Sequence, residues 1–197
     1  MRTLYPLLLA AALAACSAVN QAAEDPKPDP ADYAAAFHHL GDAEPIEFPG
    51  HITRVMVGQG DTPSQVSLLE LTVPARSVGA PPHTHADEDE YFIVLEGNVV
   101  FLNEDEQVAA PPGTIAALPR GHMHAFWNPS DEPASLLLAI APGQFETFFD
   151  EVVMKIRTEN ADSPERIGAI IGETAAARNV IVEPARFPQE ALDLLPQ

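Results

Sequence analysis

Between residues 51 and 141 the hydrophobic positions come in short bursts, not at helical spacing. Residues 52–57, 66–73, 91–95, 99–102, 114–118, 123–127 and 135–141 are rich in β-branched, aromatic and aliphatic side chains. Turn-forming clusters separate them, among them Gly58-Gln59-Gly60-Asp61, Gly97-Asn98, Asn103-Glu104-Asp105, Pro111-Pro112-Gly113 and Asn128-Pro129-Ser130-Asp131. Short strands at this spacing predict an antiparallel sandwich or barrel. After Gly143 the period changes. Phe145, Phe148, Phe149, Val152, Val153 and Ile156 fall on one face of a helix. Ser163-Pro164 predicts an N-cap and first turn, Ile167, Ile170 and Ile171 give a second helix its apolar face, and Asn179 is a left-handed stop. Residues 180–182 predict a last strand, and residues 34–40 a short helix. The aromatic stripe reads as core, packing the helices on the barrel.

The N-terminal stretch has a different character. Residues 1–15 read as a signal peptide, with Arg2 before an apolar run too short to span a bilayer. Leu13-Ala14-Ala15-Cys16 resembles a bacterial lipobox, which implies a lipid anchor on Cys16, and Ser17 is similar to an outer-membrane sorting signal. The alternative is ordinary cleavage around Ala22-Ala23 and release into the periplasm. Either way the protein is expected to be exported, with membrane contact only through Cys16. Residues 16–31, acidic and proline-bearing, predict an extended tether. The expected organisation is therefore signal peptide 1–15, tether 16–31, β-barrel 32–142 and helical extension 143–197.

Composition removes several function classes. Ten Lys and Arg against 29 Asp and Glu give 197 residues a net charge of −19. Such a chain has little attraction for phosphate backbones, so nucleic-acid binding is excluded and a small-molecule substrate is expected. One cysteine rules out an internal disulfide or a multi-cysteine metal cluster.

The chemistry-bearing residues lie in the strand-rich segment. His83-Thr84-His85 puts two imidazoles on one strand face. Glu90 follows at the wrong parity for the same strand, so residues 86–89 must turn or bulge before it points back inward. His124 opens another strand after the turn Pro119-Arg120-Gly121. Three imidazoles and one carboxylate suit one divalent ion, Fe, Ni, Mn, Zn or Cu, and leave the centre with a charge of about +1. Other candidates read as ordinary. His38 and His39 are adjacent and diverge by about 100° on a helix. His51 reads as structural, His122 as a rim residue, and Asp87, Glu88 and Asp89 as a solvated acidic turn able to repel small anions.

His83-x-His85-x4-Glu90-x6-Gly97 is similar to the first motif of the cupin superfamily, and Gly113-x5-Pro119-x-Gly121-x2-His124-x3-Asn128 to the second. The resemblance covers about residues 50–142 and implies an all-β fold, a double-stranded β-helix barrel with a C-terminal helical extension. It implies His83, His85, Glu90 and His124 as ligands of one metal in the barrel mouth. One departure is visible: the family's leading glycine would fall at Ser77, whereas this chain has Gly79. The segment from Pro142 resembles the C-terminal extension of quercetin-dioxygenase-like monocupins. Inward-facing Phe92, Val94, Phe101 and Phe126 are expected to wall an apolar substrate pocket, with Glu90 also taking a substrate proton. These features imply a dioxygenase-like oxidoreductase acting on a small aromatic or enolic substrate. The alternative is a non-catalytic periplasmic cupin that captures a small molecule or metal. Sugar-phosphate isomerisation fits poorly, because the barrel segment offers only Arg54, Arg76 and Arg120 as basic residues. Exposed barrel edges make a homodimer an expectation.

Overall fold

The structure, a computed structural model, describes residues 29–195. The signal peptide, Cys16 and nearly all of the tether lie outside the described residues. Eleven strands form two antiparallel sheets among the described residues. The first has six strands, β1 (Ile46–Phe48), β2 (His51–Val57), β3 (Ser67–Val73), β10 (Ala134–Ala141), β5 (Asp89–Glu96) and β8 (Ile115–Leu118), in that spatial order. The second orders β11 (Val180–Val182), β4 (Ser77–His85), β9 (His124–Asn128), β6 (Val99–Asn103) and β7 (Glu106–Ala110). Two antiparallel sheets thus make up a β-rich fold, followed by a C-terminal helical part.

Alternation explains the inner faces. Leu69 and Leu71 on β3 stand opposite Leu138 and Leu136 on β10, and all four are fully buried. Burying each such side chain contributes about 1.5–3 kcal/mol. The outer face of β9 is buried too, which is why this short strand shows no exposed position. Trp127, Ala125 and Met123 pack there against Leu102 and against Ala191 of α3 (Gln189–Leu192).

All seven apolar bursts are strands, the strand expected at His83–His85 is the end of β4, and two further strands, β1 and β7, were not read as such. β7 is an exposed, polar edge paired with β6 through a tight turn at Glu104-Asp105, so it lacks a hydrophobic alternation to detect. β1 is three residues long. β4 contains Pro81 and Pro82, residues that argue against a strand, and it is irregular where it meets β9. The helix expected over residues 34–40 does not form. Phe37 and Leu40 are exposed, so no packed face offsets the cost of nucleating so short a helix.

The C-terminal reading holds closely. α1 (Thr147–Glu159) buries Phe148, Phe149, Val152 and Val153. α2 (Pro164–Ala176) starts where the Ser163 hydroxyl accepts a hydrogen bond from the Arg166 amide, 3.2 Å away. Asn179 has a left-handed φ of 58°. The chain then returns as β11, which pairs Val180 with His85 and Val182 with His83. The helical extension thus adds a strand alongside the one that carries two of the expected ligands. None of the described helices is long and apolar enough to cross a membrane.

Candidate metal centre

His83 and His85 leave the end of β4 on one face, as their spacing requires. The loop Ala86-Asp87-Glu88 then carries the chain from the five-stranded sheet to the six-stranded one, where Glu90 begins β5. This change of sheet resolves the parity conflict. His124 is the first residue of β9 and stands opposite His83 in the β4–β9 register. One backbone and one side-chain anchor hold the loops together. The Gly121 amide donates to the His85 carbonyl at 2.8 Å, and the Arg120 guanidinium grips both carboxylate oxygens of Asp89, at 3.0 and 2.9 Å.

One ligand atom from each of His83, His85, Glu90 and His124 lies within 4.8 Å of the other three. His124 Nε2 is 3.0 Å from one Glu90 oxygen, and His85 Nε2 is 3.7 Å from the other. Each ring has its Nδ1 engaged elsewhere. His83 Nδ1 donates to the Pro81 carbonyl at 2.7 Å, His124 Nδ1 to the His122 carbonyl at 3.2 Å, and His85 Nδ1 to the Glu88 carboxylate at 3.1 Å. These partners only accept, so each Nδ1 carries a proton and Nε2 is the nitrogen that each ring turns toward the cluster, where it would be the ligand atom for a metal. Lone pairs and a carboxylate facing one another out of water repel unless a cation lies among them. His85 Nε2 is buried without a hydrogen-bond partner, as a ligand atom should be. The donor set therefore fits a divalent metal ion.

Titration follows the same logic. Burial drives His83 down to about 3, and the neighbouring His124 and His85 push in the same direction. Burial opposes the charge on His85 as well, but Glu90 and Glu88 outweigh it and raise that ring above its ordinary value. Burial would raise Glu90, yet the imidazoles, His85 foremost, hold it at about 2. The cluster is anionic at its centre and attracts positive charge, whether a proton or a metal.

Beside the cluster is a cavity of about 80 Å³. One water needs roughly 10–15 Å³ by this measure, so a compact ligand fits. Its wall is apolar except for His51, His83 and Glu90, and it contains no Lys or Arg among the described residues. Phe92 and Phe126 line it. Val94 and Phe101 do not. Both are core residues, with Phe101 backing Phe92 and Phe126 at ring distances of 5.3 and 5.9 Å. Part of the wall comes from the helical extension: Phe145, Phe148 and Phe149 are core and cavity lining at once, a role the helical stripe did not reveal.

Other expectations sort themselves here. Position 79 requires its glycine, because a Cβ there would fall 2.0 Å from the Phe126 ring. The register between β4 and β9 slips at that point. His122 is exposed and contributes only its carbonyl to the site. His38 and His39 are exposed and are not part of the cluster. The acidic turn is not simply solvated. Asp89 is paired with Arg120, and Asp87 accepts a bond from Asn179 at 2.9 Å. Glu88 is buried against His85 and was missed, since nothing in a run of three acids marks which one turns inward.

Two sheets forming a cup, with a three-histidine, one-carboxylate cluster inside it, define a candidate metal-binding barrel of the cupin kind. Residues 69–140 match the family model described as Cupin domain. Among solved structures, KdgF from Halomonas sp. aligns at 16% identity and a TM-score of 0.50, over 57% of this chain and 99% of its own. A cupin-superfamily sugar phosphate isomerase from Silicibacter pomeroyi is 26% identical at a TM-score of 0.43 over 48% of this chain. The match spans only 60% of that isomerase. The polyketide cyclase RemF from Streptomyces resistomycificus is 22% identical at a TM-score of 0.49, over 55% of this chain and 80% of its own. No curated protein matches the sequence.

Proposed function

We propose that this protein is a metal-dependent oxidoreductase of the dioxygenase type, acting on a compact enolic or aromatic substrate. The observation that carries this reading is the convergence of His83, His85, Glu90 and His124 beside an apolar cavity. A divalent ion held by these four residues supplies Lewis acidity and, if it is Fe, Ni, Mn or Cu, a route for electrons to dioxygen. The protein's own contribution is positional. Phe92, Phe126 and the three phenylalanines of the extension exclude water and hold a flat, oxygen-bearing molecule. Glu90 lines the same cavity and stays ionised to about 2, so its carboxylate is available to accept a hydroxyl proton from the substrate. The absence of cavity Lys or Arg among the described residues argues against phosphorylated substrates, and the cavity's size favours diketone- and acireductone-like compounds over three-ring flavonols.

The domain is proposed to work outside the cytoplasm, tethered through Cys16. The test of function is oxygen uptake by protein purified without a histidine tag and loaded with each metal, offered small enols and diketones. Turnover by the native protein, its loss in Glu90→Gln with metal retained, and loss of metal in His83→Ala and His124→Ala are the expected results. A tightly held zinc with no oxygen uptake would favour capture without turnover, and equal metal content in all variants would remove the centre itself.

A further inference from the structure

A second polar group reaches the cavity from the wall formed by β2. His51 is buried, stacks on Phe48 at a ring distance of 4.9 Å, meets the edge of Phe149 at 5.7 Å and lines the cavity shared with His83 and Glu90. It is not part of the four-residue cluster. Its Nδ1 is 2.8 Å from the hydroxyl of Thr53, two residues along the same strand face. Thr53 is completely buried, and its hydroxyl has no other hydrogen-bond partner among the described residues. If His51 Nδ1 carried the proton, the hydroxyl hydrogen would be buried without an acceptor, a costly arrangement. The hydroxyl therefore donates to Nδ1, and the ring proton belongs on Nε2. Nε2 has no protein partner among the described residues, and unlike His85 Nε2 it is not sealed away from the cavity space.

We infer that His51 is a substrate-binding residue whose Nε2–H donates a hydrogen bond to an oxygen of the bound substrate, one not engaged at the four-residue cluster. Burial keeps this imidazole neutral down to about 4, so it acts as a fixed dipolar donor and not as a proton source. The substrate class narrows accordingly. A molecule that chelates through two oxygens should carry a third acceptor on its far side, as a triketone or an acyl-substituted enol does. An all-hydrocarbon tail would leave the donor unsatisfied. This rests on the reading of the cluster as a chelating centre.

Two measurements test the inference and separate it from that reading. In protein labelled with 15N-histidine, long-range 1H–15N spectra, with His51 assigned through His51→Gln, should show its proton on Nε2. Thr53→Val removes the hydroxyl with little change of shape and should shift the proton toward Nδ1. In zinc-loaded protein, calorimetry compares 2,4,6-heptanetrione with 2,4-heptanedione, which differ by one carbonyl oxygen. Wild type should prefer the triketone by about five- to tenfold, the worth of one neutral hydrogen bond, and His51→Phe should bind both alike. A proton on Nδ1 in wild type, equal binding of the two ketones by wild type, or a preference that survives in His51→Phe would each overturn the proposal. If neither ketone binds, the chelation reading has failed, and the NMR result still decides the donor.

Discussion

Replacing Glu88 with Gln isolates the one carboxylate that touches the cluster from behind. Glu88 is buried and accepts from His85 Nδ1 at 3.1 Å, while the opposite nitrogen of that ring is the unpartnered buried atom facing Glu90. Glutamine keeps an acceptor oxygen in place but removes the negative charge that makes the ring a stronger donor. Such outer partners of ligating histidines are worth about 10- to 100-fold in metal affinity, or about 1.4–2.7 kcal/mol. A competing effect sets the conditions. Glu88 also raises the proton affinity of His85, so near neutral pH part of its help to the metal is cancelled by its help to the competing proton. Above the raised His85 value that competition ends. The expected result is an affinity about 10- to 100-fold weaker at alkaline pH, the gap narrowing as the pH falls, measured by zinc competition against a chromophoric chelator. Equal affinities for the variant and the native protein at alkaline pH, with melting temperatures matched, would refute the argument that the buried carboxylate tunes this ring.

Three other outcomes follow from the same structure. Gly79→Ala should destabilise the protein by about 1–3 kcal/mol in urea, because the new methyl meets a Phe126 ring hemmed in by Phe92 and Phe101; Phe126→Leu in the same chain should restore part of the loss. Acid should weaken the fold through His51. Its folded value of about 4 lies below the ordinary 6.5, so between these limits the unfolded chain binds more protons and stability falls as pH falls. The full descent is on the order of 3 kcal/mol, and His51→Phe should flatten that part of the curve read by denaturant midpoints. For the proposed anchor, Cys16→Ser should move the protein from the membrane fraction to the soluble one and abolish labelling by a radioactive fatty acid; unchanged fractionation would point to ordinary cleavage.

The sequence made the barrel legible because its strands bury one face, and the alternation of residues 66–73 and 135–141 survives almost unaltered as β3 and β10. The four candidate ligands were legible for a different reason: their spacing, together with the glycine and proline frame, is compact and ordered along the chain. What stayed hidden depends on contacts between distant segments. Glu88 is one of three adjacent acids, and only the fold decides that it turns inward while Arg120 takes Asp89. His51 lies 32 positions before His83, and its place in the cavity follows from the closure of two sheets and a helix. Phe145, Phe148 and Phe149 announced a buried helical face, but periodicity cannot say that what they are buried against is partly empty space.

The loop Ala86-Asp87-Glu88 joins one sheet to the other, and the four donors straddle that seam, His83, His85 and His124 on one side and Glu90 on the other. An ion seated among them would act as a clasp across the split, tying together two layers that the backbone ladders leave separate at this point. Parting the layers and releasing the ion then become a single event. Its escape rate should follow the opening of the cup's mouth and slow whenever a bound molecule wedges that mouth shut.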